Sequence, residues 1–409
     1  MAQETEVHVA RQPIFDTTLH VFAYELLFRN NFIDAYDGMD GDQATHSVIA
    51  NSFLLIGMET LTNGKKAFIN FTANSLKANV PAMLPQELIA VEILENIIPD
   101  EEIISVCKNL KQAGYLLVLD DFVFKPEFLP FIELADIIKV DFRTTPRNER
   151  QQLIQRLQNY PIKFLAEKVE TQEEFQDALS MGYSYFQGYF FCKPSVLSGK
   201  NLPAYKANHL HILQEINRPE LEFSQIEYII KRDVSLSYKL LRFINSAFFG
   251  FKSTISSLRQ ALALLGQKEL IKWVSIVALK GIAENKPGEL ILESLIRARF
   301  SEKLASDKMM KHRVADAFLM GMFSHIDVLL DRPLLEILNE IGLDEEIKYA
   351  LLDKVHNQFS ILYKLIQTYE KGDWEAYSGY AKELELDEQT VLKAYRESLV
   401  WAHDLIMVN

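Results

Sequence analysis

Tyr24-Glu25-Leu26-Leu27-Phe28-Arg29, Phe68-Ile69-Asn70, Val91-Glu92-Ile93-Leu94-Glu95, Val118-Leu119-Asp120-Asp121, Ile138-Lys139-Val140-Asp141, Phe164-Leu165-Ala166-Glu167 and Tyr185-Phe186-Gln187-Gly188 decide the fold of this chain. Each is a short apolar run that ends, within a residue or two, on a carboxylate, an amide or a lysine. A β-strand of a soluble protein has little intrinsic reason to finish this way, because acids and amides are depleted in strands. Seven such endings in succession imply a common cause. If the strands run parallel and close into a barrel, their polar ends meet at one mouth, the face on which such barrels carry their chemistry.

The spacing of the runs supports that arrangement. Strands are expected at 7–14, 21–28, 68–71, 89–94, 115–119, 137–140, 163–166 and 184–186. Helical periodicity is expected at 43–61, 101–113, 148–158 and 171–181, with a short helical turn at 74–77. Strand–helix alternation of this length predicts a parallel sheet. An open doubly wound sheet is the alternative, but its glycine-rich phosphate fingerprint is absent. The chain therefore reads as α/β, a TIM-like (β/α) barrel, over residues 1–200. Around Cys192-Lys193-Pro194-Ser195 and Ser198-Gly199-Lys200-Asn201-Leu202-Pro203 the sequence turns loop-like. Beyond it strand signals nearly vanish, and residues 201–409 read as a second, all-helical domain. Helices are expected at 223–232, 236–248, 258–265, 270–282 and 290–310, with Gly266 as a C-terminal stop.

Bulk composition sets limits. The 409 residues suit two domains, and 48% hydrophobic content with 26 Phe and 16 Tyr provides for a large core. A net charge of −13 disfavours nucleic-acid or anionic-membrane binding through bulk charge. It leaves open a small anionic ligand held through metal ions. The two cysteines, Cys107 and Cys192, sit in apolar segments and read as buried reduced thiols. Met1 to Glu6 is polar and acidic, with no visible secretory signal, and no apolar run reaches membrane-spanning length. The expectation is a cytoplasmic protein.

Glu25, Asn70, Glu92 and Asp120 are hard oxygen donors, suited to Mg²⁺ or Mn²⁺. Asp121, next to Asp120, could bridge to a second ion, and two ions ~3.5–4 Å apart can activate water and stabilise a phosphoryl oxygen. Arg29 suits a phosphate. So many carboxylates are costly to gather unless cations or Lys139 neutralise them. The competing reading of the same residues is a set of barrel-mouth salt bridges with Lys139 as hub.

In order along the chain, Gln12-Pro13-Ile14, Glu25-Leu26-Leu27-Phe28-Arg29, Phe68-Ile69-Asn70, Glu92-Ile93-Leu94-Glu95, Asp120-Asp121-Phe122, Ile138-Lys139-Val140-Asp141, Ala166-Glu167-Lys168-Val169-Glu170 and Gln187-Gly188 resemble the motifs of the EAL domain, the cyclic di-GMP phosphodiesterase family. The resemblance implies a two-ion Mg or Mn site held by Glu25, Asn70, Glu92, Asp120 and Asp121. Lys139 and Gln187 would position water and ions, and Glu167 would serve as general base or ligand. Gln12 and Arg29 would contact the dinucleotide, and Glu95 would anchor the loop after Asp121. Three departures stand out. Leu26 replaces the alanine of the name motif, Lys168 replaces a glycine, and Val123-Phe124-Lys125-Pro126-Glu127 replaces a glycine-rich loop. Rebuilding such supporting elements can cost roughly 10–100-fold in activity or metal affinity.

Ile230-Lys231-Arg232-Asp233-Val234-Ser235-Leu236-Ser237-Tyr238-Lys239-Leu240-Leu241, Asn245-Ser246-Ala247-Phe248-Phe249 and Ile255-Ser256-Ser257-Leu258-Arg259-Gln260-Ala261 resemble the HDOD domain, a helical relative of HD-type metal hydrolases. His325-Ile326-Asp327 lacks the adjacent His-Asp pair of those enzymes and reads as an ordinary histidine. Asn245-Ser246 reads as a helix-terminating cap, and Arg232-Asp233 as an exposed ion pair. The order resembles bacterial EAL–HDOD signalling proteins, which implies a regulatory or partner-binding helical half and leaves a homodimer open. Two functions remain: a metal-dependent phosphodiesterase converting cyclic di-GMP to linear pGpG, or a receptor or scaffold with a degenerate site. A different metal-dependent phosphodiesterase has no residue that points to it.

Overall fold

The computed structural model describes residues 8–28, 57–192, 204–218, 223–232, 234–245, 255, 257–284, 286–306 and 310–407. Two compact units are formed, one from Met1–Lys193 with Thr368–Glu375, the other from Pro194–Gln367 with Ala376–Asn409.

The first unit is a closed barrel of eight strands in sequential order. They are β1 (Val9–Asp16), β2 (Val21–Phe28), β3 (Lys66–Phe71), β4 (Ile89–Ile93), β5 (Leu116–Leu119), β6 (Ile137–Asp141), β7 (Lys163–Glu167) and β8 (Tyr185–Phe186). From β2 to β8 every neighbouring pair is parallel, so the seven polar endings do emerge on one side. β1 departs from the pattern, running antiparallel to both β2 and β8. The cause is local. The Asp16 carboxylate accepts from the backbone N–H groups of Thr18 and His20, which closes a tight turn. A chain reversed so soon can only pair antiparallel.

Helices return the chain between the parallel strands: Ala73–Lys77, Glu101–Gln112, Leu129–Ile132, Arg147–Leu157 and Gln172–Met181. Their starts follow from side chains. Asp100 accepts from Ile103 N–H, and Thr171 and Glu174 form a reciprocal capping box. Of the helix expected at 43–61, only Met58–Thr62 falls among the described residues.

One apolar residue per strand fills the barrel interior: Ile14, Ala23, Phe68, Ala90, Val118, Ile137, Leu165 and Tyr185. This layer is the floor of the site. A strand repeats its facing every two residues, so one step of two along β2 to β8 lands on Glu25, Asn70, Glu92, Asp120, Lys139, Glu167 and Gln187. On the reversed β1 the same step runs backwards, from Ile14 to Gln12. These eight expected site residues thus form a ring one level above the floor.

The second unit is helical, from Ala204–Ile216 to Glu388–Met407. Gly288–Ala305 packs against Val314–Met322 and Glu388–Met407. The expected stop at Gly266 is present as a break, with φ 70° and ψ 169°, inside Leu258–Ile282. A non-glycine residue resists that conformation. Asn245 closes its helix as a cap, donating to the carbonyls of Leu241 and Ile255 and accepting from Ile255 N–H. Ser246 and Asp233 lie outside the described residues. Among the described residues, no helix is long and apolar enough to cross a membrane.

Candidate functional site

Lys139 lies at the centre of the ring. Its side chain is fully buried, and its Nζ stands 2.7 Å from Asp120, 2.9 Å from Glu92, 2.9 Å from Glu167 and 3.5 Å from Glu25. A second set of contacts orders the rim. Gln187 Nε2 donates to Glu25 Oε2 at 2.6 Å and to Gln12 Oε1 at 3.0 Å. Asn70 Nδ2 donates to Glu25 Oε1 at 3.3 Å. One lysine and two amides therefore connect Gln12, Glu25, Asn70, Glu92, Asp120, Glu167 and Gln187.

The electrostatics follow from burial and crowding. Burial pushes Glu167 up to about 8, with the Asp120 and Glu25 charges adding to the effect and Lys139 opposing it. Burial also holds Glu92 well above the usual carboxylate range against the pull of Lys139. For Lys139 burial alone favours the neutral amine, but the surrounding carboxylates outweigh it and raise its pKa well above the ordinary value. The cluster is short of positive charge.

The donor set fits a divalent cation. Asn70 Oδ1, Glu92 Oε2, Asp121 Oδ1, Glu167 Oε2 and Gln187 Oε1 are buried without a hydrogen-bond donor. A buried, unmatched oxygen costs ~1–3 kcal/mol, and hard cations bind such oxygens. Among the described residues no three acidic, histidine or cysteine side chains are already gathered about an ion-sized centre. The carboxylates are drawn to Lys139 instead. A cavity of about 620 Å³ opens above the ring, lined by Gln12, Glu25, Asp120, Asp121, Glu167 and Gln187 among others.

Backbone geometry fixes the rim between β7 and β8. Gln187 accepts from Val169 N–H, and Val169 accepts from Phe190 N–H. Gly188 makes this approach attainable: its φ is 142°, and a Cβ there would lie 2.1 Å from the Val169 carbonyl oxygen.

Some expected residues stand apart. Arg29 lies outside the described residues. Glu95 is exposed, makes no hydrogen bond or ion pair among the described residues, and lines one groove with Val123 and Lys125 of the loop after Asp121. That loop is fixed by its own contacts, with Arg156 over the Phe124 ring at 4.4 Å and Lys125 over Phe128 at 5.4 Å. Val123 is 62% exposed. The loop lines an apolar groove of about 230 Å³ beside the mouth, together with Ile93, Leu119 and Phe131, and does not line the mouth cavity.

Two residues acquire roles that spacing did not suggest. Lys168 has φ 55°, a left-handed conformation that costs an L-residue ~1–2 kcal/mol. Its Nζ lies 2.5 Å from Asp141 Oδ2 and 3.7 Å from Asp121 Oδ2. Asp141 is held below the usual carboxylate range: burial opposes this, but Lys168 and the N–H groups of Arg143 and Thr144 prevail. The available signal was Lys168 itself, a long cation where the motif it resembles has glycine. In the helical unit, His325 is buried with Nε2 3.2 Å from Glu293, as expected of an ordinary histidine. Cys107 is a buried free thiol, pushed up to about 12 by burial. The Cys192 side chain lies outside the description.

Comparison with known proteins matches this architecture. The EAL domain family matches residues 41–194 and the HDOD domain family residues 202–343. The chain is 38% identical to the uncharacterised protein YuxH of Bacillus subtilis over 98% of its length and 99% of that protein. It is 36% identical to the cyclic di-GMP phosphodiesterase CdgJ of Vibrio cholerae over 97% of its length and 93% of that protein. The chain belongs to the EAL–HDOD family. The EAL match begins after Gln12, Glu25 and Arg29, whereas the alignments with YuxH and CdgJ cover nearly the whole chain. Among solved structures, the Listeria monocytogenes EAL domain protein is 21% identical, covering 45% of this chain and 87% of that one, with a TM-score of 0.38. The manganese and cyclic di-GMP complex of Klebsiella pneumoniae BlrP1 is 23% identical with a TM-score of 0.39. That match covers 46% of this chain and 56% of BlrP1, little more than half of it.

Proposed function

We propose that the barrel mouth is a divalent-metal site that hydrolyses one phosphodiester of cyclic di-GMP to the linear dinucleotide pGpG. The observation that carries this reading is the ring of buried oxygens without donors around Lys139. The relative named a cyclic di-GMP phosphodiesterase supplies the substrate. Glu25, Asn70, Glu92 and Asp120 would hold one Mg²⁺ or Mn²⁺ ion, and Asp121 with Asp120 a second. When bound, such ions lower the pKa of water and offset charge on the phosphoryl oxygens. Glu167, buried in the ring beside Lys139, is suited to accept the proton of the attacking water and pass it to the leaving 3′ oxygen. One P–O bond forms and one breaks. Lys139 keeps the carboxylates oriented, and Gln187 and Gln12 fix the rim. Arg29 remains a proposed phosphate contact.

A second reading is favoured by the exposed Glu95 and the replaced loop at 123–127: a barrel that binds the dinucleotide without turning it over. In either case the helical half is proposed as a regulatory or partner-binding module, in a cytoplasmic protein. The test is incubation of the full chain with cyclic di-GMP and Mn²⁺ or Mg²⁺, with the product followed by chromatography beside Glu25→Ala. Product above that control is expected. None above it overturns the catalytic reading, and calorimetry on the same sample then separates a receptor from an inert scaffold.

A further inference from the structure

Lys168 presents an ammonium where the proposed site would take its second divalent ion. Three observations meet there. The residue adopts φ 55°, so the chain accepts backbone strain to keep a long side chain at this position. The Nζ sits between Asp141 at 2.5 Å and Asp121 at 3.7 Å. Both Lys168 and Asp121 line the mouth cavity. Asp121 is the expected ligand of the second ion, and its Oδ1 is buried without a donor.

We propose that the Lys168 ammonium is a built-in cation that competes with the second divalent ion at Asp121, so that the resting site takes up one ion well and the other poorly. This rests on the metal reading given above. A fixed positive charge a few ångströms from an ion-binding carboxylate opposes a dication directly, and in a half-buried mouth solvent screens it only in part. The neighbouring Asp141 holds the ammonium in place. Removing the charge should strengthen the second site while leaving the first almost unchanged, because Lys168 makes no ion pair with Glu25, Glu92 or Asp120 among the described residues. The site would then depend on a bound phosphodiester, or on an excess of free metal, to complete its ion pair.

Mn²⁺ titration of the full chain without nucleotide, followed by the electron paramagnetic resonance signal of free Mn²⁺ and by calorimetry, tests this directly. Wild type is expected to bind one Mn²⁺ at low concentration and a second at least tenfold more weakly. Lys168→Gln and Lys168→Gly should both tighten the second step about tenfold or more, and Lys168→Arg should not. A gain in Lys168→Gly alone would assign the effect to backbone strain and overturn the proposal, as would two equal ions in wild type. Mn²⁺ uptake that is unchanged in every Lys168 variant, yet lost in Glu92→Gln, sinks this inference and leaves the metal reading standing. No Mn²⁺ uptake by any variant sinks both.

Discussion

Replacing Lys139 by methionine removes an ammonium that stands within 3.5 Å of Glu25, Glu92, Asp120 and Glu167. The methionine fills similar volume, so the loss is electrostatic. Breaking a fully buried pair by deleting one partner costs ~3–5 kcal/mol. The alternative for the folded protein is to take a proton onto a carboxylate. Glu167 already shows this tendency, raised from 4.5 to about 8. A carboxylate protonated only in the folded state costs about 5 kcal/mol at pH 8 and about 2 kcal/mol at pH 6. The folded state then holds more protons than the unfolded chain, so stability falls as pH rises from about 4.5 towards 8. Lys139→Met should therefore destabilise the barrel by ~3–5 kcal/mol at pH 8 and by markedly less at pH 6. Mn²⁺ at about one hundred times its Kd should restore ~3 kcal/mol by mass action. Urea unfolding read by hydrogen exchange of β4–β7 peptides isolates the barrel from the helical unit. Equal urea midpoints for variant and wild type at pH 8, or a loss that does not shrink at pH 6, would refute the reasoning.

Three other expectations follow from single positions. Gly188→Ala forces a Cβ to within 2.1 Å of the Val169 carbonyl. It should destabilise the barrel by about 3 kcal/mol or more, seen as a lower thermal midpoint. Asn245→Ala deletes three hydrogen bonds, one to Leu241 in its own helix and two that tie the helix end to Ile255. A loss of about 2–3 kcal/mol is expected in chemical denaturation, and an unchanged midpoint would mean the cap is not needed. Burial, with the Lys239 charge, lowers Lys280 to about 8. Between about pH 8 and 10.5 the unfolded chain keeps a proton that the folded state releases, so this residue makes stability rise with pH there. Lys280→Met should gain about 1–2 kcal/mol at pH 7, allowing for partial solvent screening, and should flatten that rise in a pH series of unfolding curves.

The barrel was legible because burial leaves a strong mark on a strand. A run such as Val118-Leu119 that ends on Asp120 has an apolar floor residue and a polar mouth residue two positions apart, and both are visible in the letters. The ring of Glu25, Asn70, Glu92, Asp120, Lys139, Glu167 and Gln187 follows from that step of two. The direction of β1 was not legible, because alternating burial is the same in parallel and antiparallel strands. The reversal of β1 is set by the Asp16 turn, whose carboxylate bonds to Thr18 and His20 are formed over a few residues. Asp141 was visible as a strand end, but its pairing with Lys168 depends on two separate strands closing together. The contacts that hold the loop after Asp121 were hidden for a related reason. With Phe124 under Arg156 and Lys125 over Phe128, the loop at 123–127 is held by residues no motif marks.

Anomalous diffraction at the manganese edge, from crystals grown with Mn²⁺ and cyclic di-GMP, tests the central claim most directly. The account predicts Mn²⁺ about 2.0–2.2 Å from oxygens of Glu25, Asn70, Glu92 and Asp120, with a phosphate of the dinucleotide against it. Manganese found only at surface carboxylates, or a dinucleotide bound away from a mouth still closed around Lys139, would contradict it.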